Sequence, residues 1–211
     1  MFASPADLPV LRCPKRPLGA VLADPALAPW PQLAAVALRE TVSGKPPGQA
    51  TWIKAAWSEH ELRVLFWVED TQVWATLTEH NAPLYEEEVV EVFLDPAGDS
   101  EKYFEIEVNP LNTVLEVALL REGSGGWRKD FQWRCAGLRT AVQRHPAGWC
   151  AEFSLPFAGL RVATPTGKRW RANFYRIDRP PGAPRELSAW SPTGEPNFHV
   201  PARFGDLEFV P

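Results

Sequence analysis

The chain has 211 residues, 45% of them hydrophobic and 23% charged, which predicts a packed globular protein and excludes a disordered one. Its 22 basic and 26 acidic residues give a net charge of −4, so we expect neither a nucleic-acid partner nor a membrane partner. Ten tryptophans and 22 prolines predict a broad aromatic core or an aromatic binding surface, together with long ordered loops.

The first seven residues, MFASPAD, lack the basic and apolar regions of a secretory signal. The sequence therefore predicts a cytoplasmic protein, or a secreted one whose leader has been removed. Cys13, Cys135 and Cys150 are odd in number and form no CxxC pair, so we expect buried, reduced thiols and neither a disulfide framework nor a zinc site.

Residues 1–49 carry little periodicity, with room for one short helix between residues 24 and 40. We expect this segment to pack on the rest of a single domain that spans residues 1–211. From residue 51 the hydrophobic period changes to two, as in strands. The predicted strands are residues 51–57, 62–69, 89–95, 103–109, 114–120, 138–145, 149–155, 170–178 and 207–210. Short strands between Gly, Pro and Asp turns predict an all-β fold, an antiparallel β-sandwich of the jelly-roll kind with long loops and at most short helices.

Two long loops contain aromatic residues in polar surroundings, and long ordered loops in a compact domain are usually functional. Residues 70–88 include Trp74 and Tyr85, and residues 178–203 include Trp190 and the pair Phe198-His199. A sugar ring has an apolar C–H face and a polar edge, so Tyr85 and Trp190 could clamp one ring. The candidate hydroxyl partners are Glu91, Glu107, Asn109, Asn173 and Arg176. Strand alternation places Asn173 and Arg176 on opposite faces, so both reach one ligand only across a bulge.

Acidic residues allow two further interpretations. A glycoside hydrolase needs two carboxylates about 5–9.5 Å apart, and the candidates are Glu88, Glu91, Glu105 and Glu107. A run of glutamates before a strand is more often a solvated edge. The turn that contains Asp95, Asp99 and Glu101 offers oxygen ligands for structural calcium, although a plain hairpin turn is the stronger interpretation. No other cofactor is expected. A protein-interaction surface built from the same aromatic loops is a third hypothesis.

Four segments, in this order and spacing, resemble family 9 carbohydrate-binding modules and the family-9-like proteins. They are VEDTQVWATLTEHNAPLYEEEVVEVFLDP, YFEIEVNPLNTV, WRANFYRIDRP and SAWSPTGEPNFHVPARFGDLEF, and the resemblance covers roughly residues 50 to 211. It implies a β-sandwich of the type shared with DOMON domains, which bind sugars or haem, and non-catalytic carbohydrate binding, with the oligomeric state left open.

The resemblance also implies roles for particular residues. Trp190 matches one of two aromatics that sandwich a terminal sugar, Tyr85 stands where the other, a tryptophan, is expected, and Glu91 matches an acidic position that contacts the ligand. One departure is Glu107, which stands where sugar-binding members have an arginine, and this exchange of a donor for an acceptor predicts a changed ligand. A haem site with Met and His ligands is not expected, because the only methionine is Met1.

Overall fold

The computed structural model describes residues 8–123 and 125–211. The leader region considered above, residues 1–7 with Met1, lies outside the described residues. Within them, no helix is long and apolar enough to cross a membrane. Strands dominate this described part of the chain, where the helices are single 3₁₀ turns at Trp30–Gln32, Leu84–Glu86 and Pro201–Arg203.

Two sheets form the molecule. The nine strands of the larger sheet are β1 (Val10–Pro14), β3 (Arg39–Glu40), β6 (Val89–Asp95), β7 (Lys102–Val108), β8 (Val114–Arg121), β9 (Trp127–Asp130), β12 (Arg169–Asp178), β13 (Glu186–Ala189) and β14 (Gly205–Val210). The five strands of the smaller sheet are β2 (Val36–Ala37), β4 (Thr51–Trp57), β5 (Glu61–Glu69), β10 (Arg139–His145) and β11 (Gly148–Pro156). The predicted all-β sandwich is therefore confirmed.

The strand order of the larger sheet is β1-β14-β12-β6-β7-β8-β9, with β13 beside β12 and β3 beside β13. The smaller sheet runs β10-β11-β5-β4-β2. Neighbouring strands are antiparallel except for β1, which pairs in parallel with β14. This parallel pair differs from the purely antiparallel prediction. It forms because β1, the first strand, lies beside β14, the last one, and runs in the same direction.

The segment before residue 50 differs most from the sequence prediction. The expected short helix is replaced by the 3₁₀ turn Trp30–Gln32 and by β2 and β3, which are two residues each. Pro29 and Pro31 exclude the backbone hydrogen bonds of a longer helix here. The segment thus adds strands to both sheets as well as packing against them.

The core lies between the two sheets, because alternate residues of each strand face inward. Val64, Phe66, Val92, Ile106 and Phe174 are among its fully buried members. The three cysteines are free and buried, as the sequence predicts, and burial raises the pKa of the Cys135 and Cys150 thiols to about 12.

Five strand tryptophans divide between the core and the outside. Trp57, Trp149 and Trp170 are buried in the core. Trp52 and Trp67 pair across β4 and β5 and are half-buried, beside a separate apolar cavity on the smaller sheet. A second apolar cluster covers the outer face of the larger sheet, where the loops before β6 and after β13 fold back over the strands. This covered face carries the candidate site.

Candidate functional site

A cavity of about 270 Å³ opens on the outer face of the larger sheet. Glu91 of β6 and Glu105 of β7 form its floor, and Phe198 and His199, from the loop after β13, form one wall. Tyr85 lies at its rim. Two exposed cations, Lys129 and Arg185, also line the opening. The cavity therefore combines an acidic floor, an aromatic wall and a basic rim.

The acidic floor follows from strand register. Glu91 is directly opposite Glu107 across β6 and β7, and Glu105 is two residues from Glu107, so all three side chains point to the same face. One carboxylate oxygen from each lies within 4.8 Å of the others. The three residues are between 0% and 3% exposed. Among the described residues, Glu91 Oε1, Glu105 Oε2 and both oxygens of Glu107 have no hydrogen-bond partner.

Burial and mutual repulsion change the acidity of this floor. Burial raises the pKa of Glu91 well above its usual value, and the Glu105 charge adds to the shift, while Lys129 and Arg185 oppose it. Burial likewise raises the pKa of Glu107 far above normal, reinforced by Glu91 and Glu105. Both shifts favour the protonated form of Glu91 and Glu107, in which a carboxyl group presents an O–H donor as well as an acceptor oxygen.

The aromatic wall is held in place by buried hydroxyls. The Tyr175 hydroxyl donates to the carbonyl of Phe198 at 2.9 Å, and the Phe198 ring stacks on Tyr175 with centroids 4.0 Å apart. The Tyr103 hydroxyl lies 2.8 Å from His199 Nδ1. Burial lowers the pKa of His199, against the opposing effect of Glu105, whose carboxylate is 3.9 Å away. The wall is therefore a fixed, uncharged surface at neutral pH.

Tyr85 is positioned by the short 3₁₀ turn at Leu84–Glu86. Leu84 is buried beneath it, and Arg185 donates to the Tyr85 carbonyl at 3.2 Å. The carboxylate of Glu87 accepts backbone N–H bonds from Thr76 and Leu77, which ties the turn to the preceding loop. The Tyr85 side chain remains 38% exposed, so a flat ring is presented at the mouth of the cavity.

Asn173 lies on β12 and Asn109 directly follows β7, and both side chains bind the backbone of neighbouring loops. Asn109 accepts the N–H groups of Leu111 and Thr113 and donates to the Leu77 carbonyl, which closes the β7–β8 turn. Asn173 exchanges two hydrogen bonds with the backbone of Ser191. Both amides are fully buried and line no part of the cavity described above.

Arg176 points to the interior side of β12, opposite to Asn173, as strand alternation predicts. It donates to the Glu69 carbonyl at 2.8 Å and pairs with Asp70 and Asp178 at 3.1 and 3.3 Å. Arg176 therefore bridges the two sheets and does not reach the cavity. Glu88 completes this buried group, and burial, followed by the neighbouring Asp70, raises its pKa to about 9.

Neither Trp190 nor Trp74 lines the cavity. Trp190 is 6% exposed and packs in the core against Phe174 and against the backbone of Gly205, on the other side of the sheet from the cavity. The structure thus corrects the predicted clamp, because the rings of Tyr85 and Trp190 do not face each other. Trp74 is half-buried and donates its indole N–H to the Arg179 carbonyl.

The acidic turn after β6 is closed by its own backbone. Asp95 accepts the N–H groups of Gly98 and Ser100 at 2.7 and 2.9 Å, and Asp99 accepts that of Glu101. Glu101 pairs with Arg121 at 3.5 Å. These contacts match the hairpin-turn interpretation. Calcium binding at this turn stays a prediction.

Of the predicted contact residues, Tyr85 and Glu91 line the cavity, and Glu107 is fully buried beside Glu91. The structure adds Glu105, which the sequence offered for hydrolase chemistry, and the rim cations Lys129 and Arg185, which the sequence did not indicate. Lys129 lies on β9, a four-residue strand without alternation of buried and exposed residues, and Arg185 lies in a loop. Only the tertiary fold identifies these two cations.

Comparisons with known proteins give a consistent result. A family model described as carbohydrate-binding family 9 matches residues 45–209. An "Extracellular protein" of Arthroderma benhamiae is 24% identical over 198 residues, covering 87% of this chain and 88% of that protein.

Two solved structures share the fold. A putative carbohydrate-binding protein from Bacteroides uniformis has a TM-score of 0.78 and 22% identity, covering 95% of this chain and 98% of that one. A family 9 carbohydrate-binding module from Caldicellulosiruptor kristjanssonii, in complex with cellotriose, has a TM-score of 0.72 and 18% identity, covering 96% and 94%.

Proposed function

Because this chain belongs to carbohydrate-binding family 9, a family of non-catalytic modules, we propose that it binds a sugar ring in the cavity between Tyr85 and the acidic floor. Carbohydrate binding itself follows from the family. One observation supports this choice of site. The exposed ring of Tyr85 lines the same cavity as Glu91 and Glu105, which have buried carboxylate oxygens without a partner among the described residues.

The chemistry of the cavity suits both faces of a sugar. The Tyr85 ring covers the apolar C–H face, since aromatic side chains combine a flat apolar surface with a polar rim. Glu91 and Glu105 on the floor accept hydrogen bonds from sugar hydroxyls, and a protonated Glu91 also donates one. Lys129 and Arg185 donate from the rim. One aromatic platform thus replaces the predicted two-ring clamp.

The relatives favour a ring of glucose type. Family 9 modules of C. kristjanssonii are described in complex with cellotriose and with glucose, and both share this fold. A cavity of about 270 Å³ accommodates one or two such rings. We therefore take glucose and short β-linked oligomers as the reference ligands for a test.

Another relative bears on where in or outside the cell the protein acts. The comparisons do not support the cytoplasmic prediction, whereas one relative carries the name "Extracellular protein". We propose that this chain also acts outside the cell, where polysaccharide ends are accessible. Fractionation of the producing cells, followed by immunodetection, would place the protein in the medium if this is correct and in the cytoplasm if it is not.

Titration calorimetry with glucose, cellobiose and cellotriose tests the site. Tyr85→Ala should weaken binding of the best ligand by about tenfold, because it removes one stacking surface worth about 1–1.5 kcal/mol. Phe131→Ala is the matched control: Phe131 is 39% exposed, close to the 38% of Tyr85, and lines no part of the cavity. Equal affinities for the wild type and both variants would place the sugar site elsewhere.

A hydrolase is the weaker alternative. The three floor carboxylates lie side by side on one face, with oxygens within 4.8 Å, rather than on two sides of a cleft. Their family is non-catalytic as well. These three carboxylates are therefore not arranged around a scissile bond.

A further inference from the structure

The acidic floor is unusual for a site that binds uncharged hydroxyl groups. Three carboxyl groups, Glu91, Glu105 and Glu107, converge within 4.8 Å and are almost completely buried. Lys129 and Arg185 form no ion pair with them in the described part of the chain, and His199 approaches only Glu105, at 3.9 Å. The floor thus lacks a positive charge of its own at contact distance.

Unpaired carboxylates are costly to bury, because a charge in a low-dielectric region needs an opposite charge or hydrogen bonds. Glu91 Oε1 and Glu105 Oε2 are buried, have no hydrogen-bond partner among the described residues, and belong to side chains that line a cavity open to solvent. These two oxygens are themselves closed to solvent, but their side chains form the floor of the cavity, so a ligand in the cavity lies against the same carboxyl groups. The missing positive charge is then most simply supplied by the ligand itself.

We propose that the ligand of this site is an amino sugar, a glucose-type ring with a free, protonated amine, rather than a neutral sugar. This inference rests on the proposed function and specifies its ligand class. An ammonium group is a compact cation with three N–H donors, so it can contact Glu91 and Glu105 together, which line the cavity, while Glu107 is fully buried beside them. The ring itself still stacks on Tyr85, since replacing one hydroxyl by an amine leaves the shape of the ring unchanged.

Glu107 is the residue that separates this site from a neutral-sugar site. It stands directly opposite Glu91 in the register of β6 and β7, is fully buried, and has both oxygens unpaired among the described residues. Its carboxyl group lies close to those of Glu91 and Glu105, and burial with this proximity raises its pKa. Because the raised pKa values of Glu91 and Glu107 favour their protonated forms, binding of an ammonium group should release protons into solution.

The test compares three disaccharides with the same β-1,4-linked backbone: diglucosamine, its N-acetylated form, and cellobiose, which has nearly the shape of diglucosamine. Titration calorimetry at a pH where the amine is protonated should show diglucosamine binding at least tenfold more tightly than the other two. Its enthalpy should also vary with the ionisation enthalpy of the buffer, which reports proton release. No mutation is needed for this arm, so a variant that fails to fold cannot obscure it.

Variants locate the effect. Glu105→Gln should remove the preference for diglucosamine, while Glu59→Gln, which deletes one exposed negative charge on the β4–β5 turn, should leave it unchanged. Circular dichroism confirms that each variant is folded. Equal loss in both variants would mean that long-range attraction, not the floor, selects the amine, and would overturn the proposal.

The remaining outcomes separate the two proposals. If cellobiose binds as tightly as diglucosamine, the amino-sugar inference is wrong while the sugar site stands. If none of the three binds, both proposals fail. If neutral sugars bind only with added calcium and are released by EDTA, the three carboxylates are a metal site, and the amino-sugar inference is again overturned.

Discussion

The outer faces of the two sheets each carry a buried group of glutamates, and the two groups are built differently. On the smaller sheet, Glu61 and Glu152 both pair with Arg63, at 2.8 and 2.5 Å. Arg139 and Ser154 bind the second oxygen of Glu61. On the larger sheet, Glu91, Glu105 and Glu107 have no such arginine among the described residues.

The pKa values differ in the same way. Burial alone would raise the pKa of Glu61, but the Ser154 hydrogen bond and the Arg63 and Arg139 charges hold it below its usual range. In the other group, burial and like charges act together, and the pKa of Glu91 and Glu107 rises. The paired group is complete without a ligand and stabilises the sheet. The unpaired group lies under a cavity and can gain from a ligand.

The largest expected effect comes from breaking the paired group. Arg63→Ala leaves Glu61 and Glu152 buried without their shared partner, and this should lower the free energy of unfolding by about 3–5 kcal/mol. Urea denaturation at neutral pH measures it. The triple variant Arg63→Met, Glu61→Gln, Glu152→Gln should recover most of the loss, because no unpaired charge remains. A loss below about 1 kcal/mol in Arg63→Ala would mean that solvent reaches these carboxylates.

Replacing a carboxyl group of the unpaired group by a neutral amide should raise the free energy of unfolding rather than lower it. The pKa of Glu107 is raised, so the folded state keeps a proton that the unfolded state releases above about pH 4.5. Its contribution is therefore fully present at low pH and is lost as the pH rises towards the folded pKa. Glu107→Gln should match the wild type at pH 4 and exceed it by about 1–2 kcal/mol at pH 8.

Urea denaturation at the two pH values checks this, and Glu59→Gln is the control, since an exposed glutamate should not change the slope of stability with pH. A Glu107→Gln protein that is less stable than the wild type at pH 8 would show that the carboxylate is already compensated, for example by a bound cation. The comparison between the two groups would then lose its basis.

Most of the fold could be predicted from the sequence, because period-two alternation is a local signal. Leu62, Val64, Phe66 and Val68 all face the core as predicted. The likeness to family 9 modules, carried by the segments around β6, β7, β12 and β14, is confirmed by the family model. The sequence did not predict β1, β9 and β13, which have four or five residues each. Of these, β9 and β13 carry no alternation of buried and exposed residues, and the alternation in β1 spans only four residues.

The candidate site could be predicted in part. Glu91 and Glu107 are on one face because strand geometry requires it, and Tyr85 precedes that strand in a loop. Trp190 was misplaced because an aromatic residue in a polar loop gives no indication of which side of the sheet it packs on. Position along the chain likewise could not show that Asn109 and Asn173 bond to the backbone.

The smallest expected effect tests whether burial or pairing separates the two groups. Arg169 on β12 pairs with Asp206 at 3.1 Å and with Glu208 at 3.4 Å, so it has two carboxylate partners as Arg63 does, yet its side chain is 53% exposed. Arg169→Ala should change the free energy of unfolding by less than about 0.5 kcal/mol, because water and salt screen exposed pairs. Urea denaturation at low and high salt measures it. If the loss in free energy of unfolding approached that of Arg63→Ala, ion pairing and not burial would determine its size. The unpaired carboxyl groups beneath Tyr85 would then not be explained by a missing ligand.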